Sequence, residues 1–179
     1  MKNILAKNRE AMNNKRKNEF NIGEIVVYPK HGVGEIKSIS TVEINKVKTK
    51  YYNIQMEQDK LFIRVPLAKQ NNIGLRKILS KRKIEEVFNV LKQKPKVRKI
   101  MWSRRAQEYD AKIHSGDPVK IGEVIRDLFR KNNQPEQSYS ERQMFQIALE
   151  RLAREVAAKE KTDYFNATEK IENILYQKQ

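Results

Sequence analysis

The chain predicts an α+β protein of two modules, a small β-barrel followed by an all-α domain of about five helices. Short alternating segments separated by Gly and Pro fill residues 20–75, which is typical of a small open or closed barrel. From Ser80 onward, every periodic segment repeats its apolar residues at helical spacing. We therefore divide the chain into a tail (1–19), a β module (20–75) and a helical module (76–179).

The strands of the β module are predicted from alternating apolar residues that end at turn residues. The first, 22–28, ends at Pro29, and the glycines Gly32 and Gly34 supply a tight turn before the alternation resumes in 35–39. The remaining strand candidates are 41–44, 49–55 and 60–65, the last closed by Pro66. A barrel of this size is expected to act through its surface and its edge strands.

Three helix starts in the second module are predicted from capping residues. Ser80 caps the first helix. Asp117 caps the third, with Pro118 at the favoured first position. Ser140 with Gln143 predicts a capping box for the fourth.

The extents and inner faces of the helices follow from the apolar spacing. The first helix ends before Pro95, the second covers about 99–114, the fourth ends near 159 and the last covers about 163–176. The residues expected to face the core are Ile84, Val87, Phe88, Leu91, Ile121, Val124, Ile125, Leu128, Phe129, Met144, Ile147, Ala148, Leu152, Val156, Tyr164, Ile171, Ile174 and Leu175.

The composition excludes several classes of protein. The chain has no cysteine, which rules out disulfides, thiol catalysis and cysteine-ligated metals and fits a reducing cytoplasm. It has no run of about 18 apolar residues, so no membrane span is expected. Residues 1–19 lack the apolar stretch of a secretory signal. We interpret this segment as a disordered basic tail.

The positive charge of the chain is concentrated in one region. Of the formal net charge of +16, residues 76–114 contribute +9, from thirteen basic and four acidic side chains, whereas residues 115–179 carry eleven of each. Such a concentration raises the affinity for polyanions. It does not by itself distinguish DNA from RNA, an anionic membrane or an acidic protein surface.

The only tryptophan, Trp102, lies in the densest basic run, 96–105, where five of ten residues are Lys or Arg. A flat apolar group between phosphate-seeking cations is suited to enter or cap a base stack. Trp102 also shares a helical spacing with Ala106, Tyr109 and Ile113, as on an ordinary buried helix face. The residues alone leave both interpretations open.

No motif arranges residues for catalysis or metal binding. His31 lies in the glycine turn and His114 at a helix end, each without a carboxylate at a motif spacing. Gly32 and Gly34 precede a hairpin rather than a helix, which argues against a phosphate cradle. We therefore expect neither an enzyme nor a cofactor or metal site.

Four motifs occur in order along the chain. They are Val27-Tyr28-Pro29-Lys30-His31-Gly32-Val33-Gly34, Ile63-Arg64-Val65-Pro66, Trp102-Ser103-Arg104-Arg105 and Val124-Ile125-Arg126-Asp127-Leu128. Together they resemble the CarD/CdnL family of bacterial transcription factors, and the resemblance covers about residues 20–176. It implies a Tudor-like (SH3-like) N-terminal domain that binds the β-subunit lobe of bacterial RNA polymerase.

The resemblance also implies which residues of the β module contact the polymerase. The arginine of the family motif matches Arg64, and we expect Ile44, Ile63 and Val65 to share the contact. A small barrel with an accessible edge strand can extend a partner's sheet through main-chain hydrogen bonds. Some family members carry a second arginine where this chain has Val42, so we expect a weaker or differently composed contact here.

For the helical module, the resemblance implies that Trp102 lies in the promoter minor groove, at the upstream edge of the transcription bubble, and stabilises the open complex. Arg104 and Arg105 are expected to contact phosphates, with Arg98 and Lys99 as further contacts. No recognition helix with base-reading side chains is apparent, so the polymerase would supply location. We expect a monomer that acts in the cytoplasm and joins the nucleoid through RNA polymerase.

Two other functions remain compatible with the residues. An architectural DNA-binding protein without a polymerase partner would use the same charge and would bind with steep salt dependence and no promoter preference. A protein-interaction adaptor would use the basic helices against an acidic partner, with Trp102 as a binding hot spot. The orientation of the two modules is not determined by the sequence.

Overall fold

A computed structural model of the chain describes residues 20–44, 46–58, 60–131 and 135–177. The segment interpreted as a disordered basic tail, 1–19, lies outside these ranges. Five strands form one antiparallel sheet in the order β4-β3-β2-β1-β5. The strands are β1 (Ile25–Tyr28), β2 (Gly32–Ile44), β3 (Val47–Met56), β4 (Phe62–Pro66) and β5 (Arg76–Lys77).

Strand β2 replaces two predicted strands. The segments 35–39 and 41–44 belong to a single strand of 13 residues, which pairs with both β1 and β3. The register shifts between Ile36 and Ser38, and an irregularity of this kind bends a long strand between its two neighbours. Gly34 is needed at the closest approach, because a Cβ atom there would lie 2.9 Å from the carbonyl oxygen of Gln55.

Strand β5 extends the sheet beyond the boundary drawn from the sequence at residue 75. Arg76 and Lys77 pair with β1, so they belong to the sheet and not to the helical module. The Nζ atom of Lys77 also lies 2.7 Å from a carboxylate oxygen of Glu24. The sequence could not indicate this strand, because two residues show no alternation.

The sheet has its own hydrophobic core. Tyr52 is fully buried at its centre, and its hydroxyl accepts a hydrogen bond of 3.1 Å from the backbone N–H of Phe20. A buried tyrosine usually finds such a partner for its polar end. The other buried residues of this core are Val26, Ile36, Ile54, Met56, Val65 and Leu75.

The described residues form six helices, most of them after the sheet. They are α1 (Gln70–Ile73), α2 (Lys81–Leu91), α3 (Trp102–His114), α4 (Pro118–Leu128), α5 (Tyr139–Glu160) and α6 (Tyr164–Tyr176). Helix α1 is a single turn within the β module, and the other five are the predicted helices. The predicted fold class, a small antiparallel β module followed by a helical module, is thus confirmed.

Two predicted helix caps are confirmed and the third is wrong. Ser80 and Asp117 each accept a hydrogen bond from a first-turn backbone N–H, of α2 and α4 respectively. The capping box of α5 is formed by Ser138 and Glu141, not by Ser140 with Gln143. The two boxes overlap in the sequence, and only Glu141 also reaches a partner on another helix, as described below.

Helix α3 begins at Trp102, one turn later than predicted. The segment before it, 93–101, is irregular, and the backbone N–H of Lys96 donates a 2.9 Å hydrogen bond to the carboxylate of Asp127 on α4. A backbone group that is bonded to another element is not available to a helical ladder. The tryptophan therefore occupies the first turn of α3, where the irregular basic segment meets the helix.

The five long helices enclose a second hydrophobic core. Every predicted inward residue is buried in it or packs against it except Ile147, which is exposed on α5. Phe145 and Leu149 face inward instead, so the buried stripe of α5 runs beside Ile147. No helix of the described ranges is long and apolar enough to cross a membrane.

Three charged side chains, Arg76, Arg151 and Glu155, form a junction between the modules. Arg151 on α5 donates hydrogen bonds of 2.7 and 2.8 Å to the carbonyl oxygens of Pro29 and Lys30 in the β1–β2 turn. Arg76 on β5 donates two, of 2.5 and 2.9 Å, to the carboxylate of Glu155 on α5. Burial lowers the pKa of Arg151. This junction fixes the orientation that the sequence left open.

Candidate nucleic-acid and polymerase-binding surfaces

Trp102 is partly buried at the start of α3. Its ring packs against the helical core, with its centroid 6.4 Å from that of Tyr109, about two turns further along the helix. Burial, with a smaller contribution from the Asp127 carboxylate, raises the pKa of Tyr109. One side of the indole therefore rests on the core, as the helical spacing of Trp102 and Tyr109 predicts.

Arg105 covers Trp102 instead of projecting into solvent. Its guanidinium carbon lies 5.3 Å from the centroid of the indole ring, within the range of a cation–π contact. The same guanidinium pairs with Glu141 on α5 at 3.2 Å, and both side chains are largely buried. The other oxygen of Glu141 accepts the backbone N–H of Ser138 in the capping box. The orientation of the indole is therefore fixed by two helices.

The remaining predicted DNA-binding cations are exposed around this ring. Arg98 forms an ion pair of 2.8 Å with Glu108 on α3, and both groups are accessible to solvent. Lys99 and Arg104 are exposed, and neither forms an ion pair with another residue of the described ranges. An unpaired exposed cation can meet a phosphate without first breaking an internal contact. Lys99 and Arg104 thus have the lowest cost of binding DNA in this set.

Two exposed apolar residues of the helical module were not singled out in the sequence. Met101 is 79% exposed and Tyr139, at the start of α5, is exposed as well. The sequence signal was the position of Met101 directly before the tryptophan motif, whereas nothing local indicated Tyr139. Met101 adds apolar surface to the edge of the basic region.

Strand β4 is one edge of the sheet, since it pairs only with β3. Arg64 is exposed on its outer face, and Phe62, two residues earlier on the same face, is 64% exposed. Phe62 was not predicted as a contact residue, although it lies directly before the Arg64 motif. A large exposed aromatic beside an exposed arginine is a composition typical of binding hot spots.

Of the other residues expected at the polymerase contact, Ile63 and Val65 flank Arg64 on β4 and Ile44 lies on β2. Val65 is buried in the sheet core and Ile63 packs against it, so these two can meet a partner mainly through their backbone groups. Ile44 ends β2, where it pairs with Val47 of β3. Val42 pairs with Thr49 in the same two strands. The structure therefore brings Arg64 together with Phe62 at the edge and places Ile44 at the far end of the hairpin.

The two histidines have structural surroundings. The ring of His31 stacks on that of Tyr28 with centroids 5.4 Å apart, and the Nδ1 atom of His114 lies 3.0 Å from the carbonyl oxygen of Asp110. The same Nδ1 atom also lies 3.2 Å from a carboxylate oxygen of Asp110, one helical turn earlier, and both side chains of this pair are exposed.

Both modules match known domains. Residues 20–79 match the family model described as the CarD-like/TRCF RID domain, and residues 86–172 match the model described as the CarD C-terminal domain. The chain belongs to the CarD family. This confirms the resemblance found in the sequence. CarD-like proteins are transcription factors, so a role in transcription regulation together with RNA polymerase follows from the family.

The chain is also similar to a curated protein over most of the length of both. The chain is 28% identical over 137 residues to the Bacillus subtilis (strain 168) protein named "Putative transcription factor YdeB", a match that covers 76% of this chain and 90% of that protein. The match spans most of both chains and thus extends across both modules of the CarD architecture.

Proposed function

We propose that this CarD-family protein binds the β-subunit lobe of bacterial RNA polymerase through strand β4 and stabilises the promoter open complex through Trp102. The observation that carries the proposal is the setting of the indole. It lies at the start of α3, held by Arg105 and Glu141, with the exposed cations Lys99 and Arg104 beside it.

The polymerase contact is supported by the open edge of the sheet. Strand β4 offers unpaired main-chain groups on one side, which is the requirement for adding a strand of a partner. Arg64 and Phe62 lie on its outer face, where they would add an ionic and an aromatic contact to those main-chain bonds. A contact of this kind is independent of the DNA sequence, so the protein would act at many promoters.

The DNA contact is supported by the fixed orientation of Trp102. A side chain that is already held in place loses little conformational freedom on binding. Apolar side chains that enter the minor groove unstack a base step, and an indole at the upstream end of the bubble would oppose reannealing. Lys99 and Arg104 would hold the backbone phosphates, with Arg98 available once its pair with Glu108 opens.

The junction of Arg76, Arg151 and Glu155 supports a cooperative role for the two modules. Because it fixes their orientation, polymerase binding by β4 also fixes where Trp102 lies. Attachment of this kind raises the effective concentration of the DNA-binding residues at the promoter. We propose that the protein acts as a monomer, in the cytoplasm and at the nucleoid with RNA polymerase.

The test is the lifetime of a competitor-challenged open complex of the cognate polymerase. Without protein, the complex should decay fastest, and the wild-type protein should lengthen its lifetime. Trp102→Ala should remove that effect while still binding polymerase. Phe165→Ala removes an exposed aromatic on α6 instead and serves as the matched control, which should act like wild type. An unchanged lifetime with wild-type protein contradicts the proposal.

The alternative is an architectural DNA-binding protein without a polymerase partner. The charge of 76–114 favours it, because phosphate contacts there need no second protein. It predicts DNA binding with a log–log salt slope of about minus four to minus five if five phosphates are neutralised. It also predicts no association with polymerase. A third outcome, polymerase association without any DNA contact at Trp102, would favour the adaptor function.

A further inference from the structure

Met101 is the most exposed apolar side chain in the basic region, and it occupies a helix N-cap position, where polar residues are preferred. It is the N-cap residue of α3, and no side-chain hydrogen bond caps this helix. The other four long helices begin with Ser or Asp, whose oxygens accept a first-turn N–H. A methionine at this position gives up about 1 kcal/mol of capping. Such departures from local preference are concentrated at functional sites.

The backbone of Met101 is nevertheless well anchored. Its carbonyl oxygen accepts the backbone N–H groups of Arg104 and Arg105, at 3.1 and 3.2 Å. Its φ and ψ angles, −54° and 143°, are extended, so the chain turns into the helix at this residue. The side chain is 79% exposed at this turn. A flexible apolar group thus projects from a fixed point.

An open cleft of about 570 Å³ lies beside this side chain. Its lining residues are Lys99, Ile100, Met101, Ser103 and Arg104. The two cations of the lining, Lys99 and Arg104, are both exposed, and neither forms an ion pair with another described residue. Charge complementarity therefore favours a polyanion backbone in this cleft, and the adjoining apolar group favours a nucleic acid over a simple anion.

Trp102 is less free to move than Met101. One side of the indole rests on the helical core, near Tyr109, and Arg105 covers the ring. These two contacts hold the indole in one orientation. Met101 can enter a base step without breaking any contact of this kind, and methionine adapts its shape to irregular gaps.

We infer that Met101 is a second wedge residue, which enters the minor groove beside Trp102 at the upstream edge while a phosphate occupies the adjoining cleft. This inference rests on the proposed function. It assigns a DNA contact to a residue outside the tryptophan motif. It also predicts that the wedge depends on apolar bulk at position 101 and not on aromatic stacking alone.

The first experiment measures open-complex lifetime with Met101→Ala, Met101→Leu, Trp102→Ala and the control Phe165→Ala. We expect Met101→Ala to remove most of the lengthening given by wild type, and Met101→Leu to retain it because apolar bulk is kept. Binding to polymerase alone should be equal for all four. Normal lengthening by Met101→Ala, with loss in Trp102→Ala, overturns the Met101 inference and leaves the proposed function standing. No lengthening by wild type overturns both.

The second experiment uses the absence of cysteine from the chain. Single-cysteine proteins, Met101→Cys and Phe165→Cys, are labelled with the same short photo-crosslinker and added to the polymerase open complex. We expect DNA adducts at the upstream edge from position 101 and none from position 165. Position 101 giving no adduct there, in a protein that binds polymerase normally, contradicts the inference independently of any change in lifetime.

Discussion

Arg76 and Glu155 lie on different modules and form two parallel hydrogen bonds, in which Arg76 Nη1 and Nη2 donate to the two carboxylate oxygens at 2.5 and 2.9 Å. Glu155 is 2% exposed, and it also accepts the backbone N–H of Leu79 at 3.0 Å. The Nε atom of Arg76 donates to the carbonyl oxygen of Gly116 at 2.8 Å. The fifth strand, the start of α4 and the middle of α5 are thereby joined through one ion pair.

We expect Glu155→Ala to lower the free energy of unfolding by about 3 kcal/mol, because it leaves a partly buried guanidinium and a buried N–H without their acceptor. Urea denaturation followed by circular dichroism measures this loss. Glu43→Ala is the matched control, since Glu43 is exposed and lies 3.9 Å from Lys48. That change should cost less than about 0.5 kcal/mol. Equal losses in the two variants would contradict a structural role for the junction.

Gly116→Ala tests the contact between the modules from the other side. Gly116 has φ +71°, and a Cβ atom there would lie 2.9 Å from Cγ of Pro29 in the β1–β2 turn. Gly23 has φ +83° with nothing within 4 Å of its Cβ position, so Gly23→Ala introduces backbone strain without a clash. We expect Gly23→Ala to lower the free energy of unfolding by about 1 kcal/mol and Gly116→Ala to lower it clearly more. Thermal unfolding of both variants gives the difference, which isolates the Pro29 contact.

Arg104 and Arg105 are expected to differ in DNA binding although they are neighbours in the motif. Arg104 is exposed, so Arg104→Ala should reduce the magnitude of the log–log salt slope by about 1. Arg105 is paired with Glu141 and covers Trp102, so Arg105→Ala should leave the slope nearly unchanged and weaken the DNA contact by loosening the indole. Fluorescence anisotropy with labelled duplex at several salt concentrations distinguishes the two. Equal changes in slope would show that Arg105 also neutralises a phosphate.

At the sheet edge, Arg64→Glu and Phe62→Ser should each weaken binding to the polymerase β-subunit lobe by about ten-fold or more, as hot-spot residues do. Lys50→Glu provides the same charge change on the opposite face of β3 and should bind normally. Surface plasmon resonance with an immobilised β-lobe fragment measures all three. Normal binding by both edge variants would place the polymerase contact away from β4.

Some features of the helices can be predicted from the local sequence, and others depend on contacts between distant residues. The caps at Ser80 and Asp117 and nearly all inward positions follow from local pattern, because a helix start and an apolar stripe are encoded within a few residues. The capping box was misassigned because 138–141 and 140–143 show the same pattern. Only the contact of Glu141 with Arg105, which are 36 residues apart, decides between them.

In the candidate site, too, some features can be predicted from the sequence and others depend on tertiary packing. Trp102 and its basic neighbours stand out in the sequence because their residue types are unusual together. Arg105 forms an ion pair with Glu141, whereas Arg104 is exposed. The sequence does not predict this difference, because it depends on where α5 packs. Strand β5 could not be predicted from the sequence either, because a segment of two residues is recognised as a strand only from its pairing with β1.

The two edge strands of the sheet differ in length, and this difference predicts the ratio in which the protein binds polymerase. The edge at β5 is two residues long and adjoins the helical module, whereas the edge at β4 has five residues. A sheet that can be extended on one side only accepts one added strand. One molecule should therefore serve one polymerase, and its effect should saturate when the two are equal in number. Beyond that point, the number of polymerase molecules at promoters would limit the response.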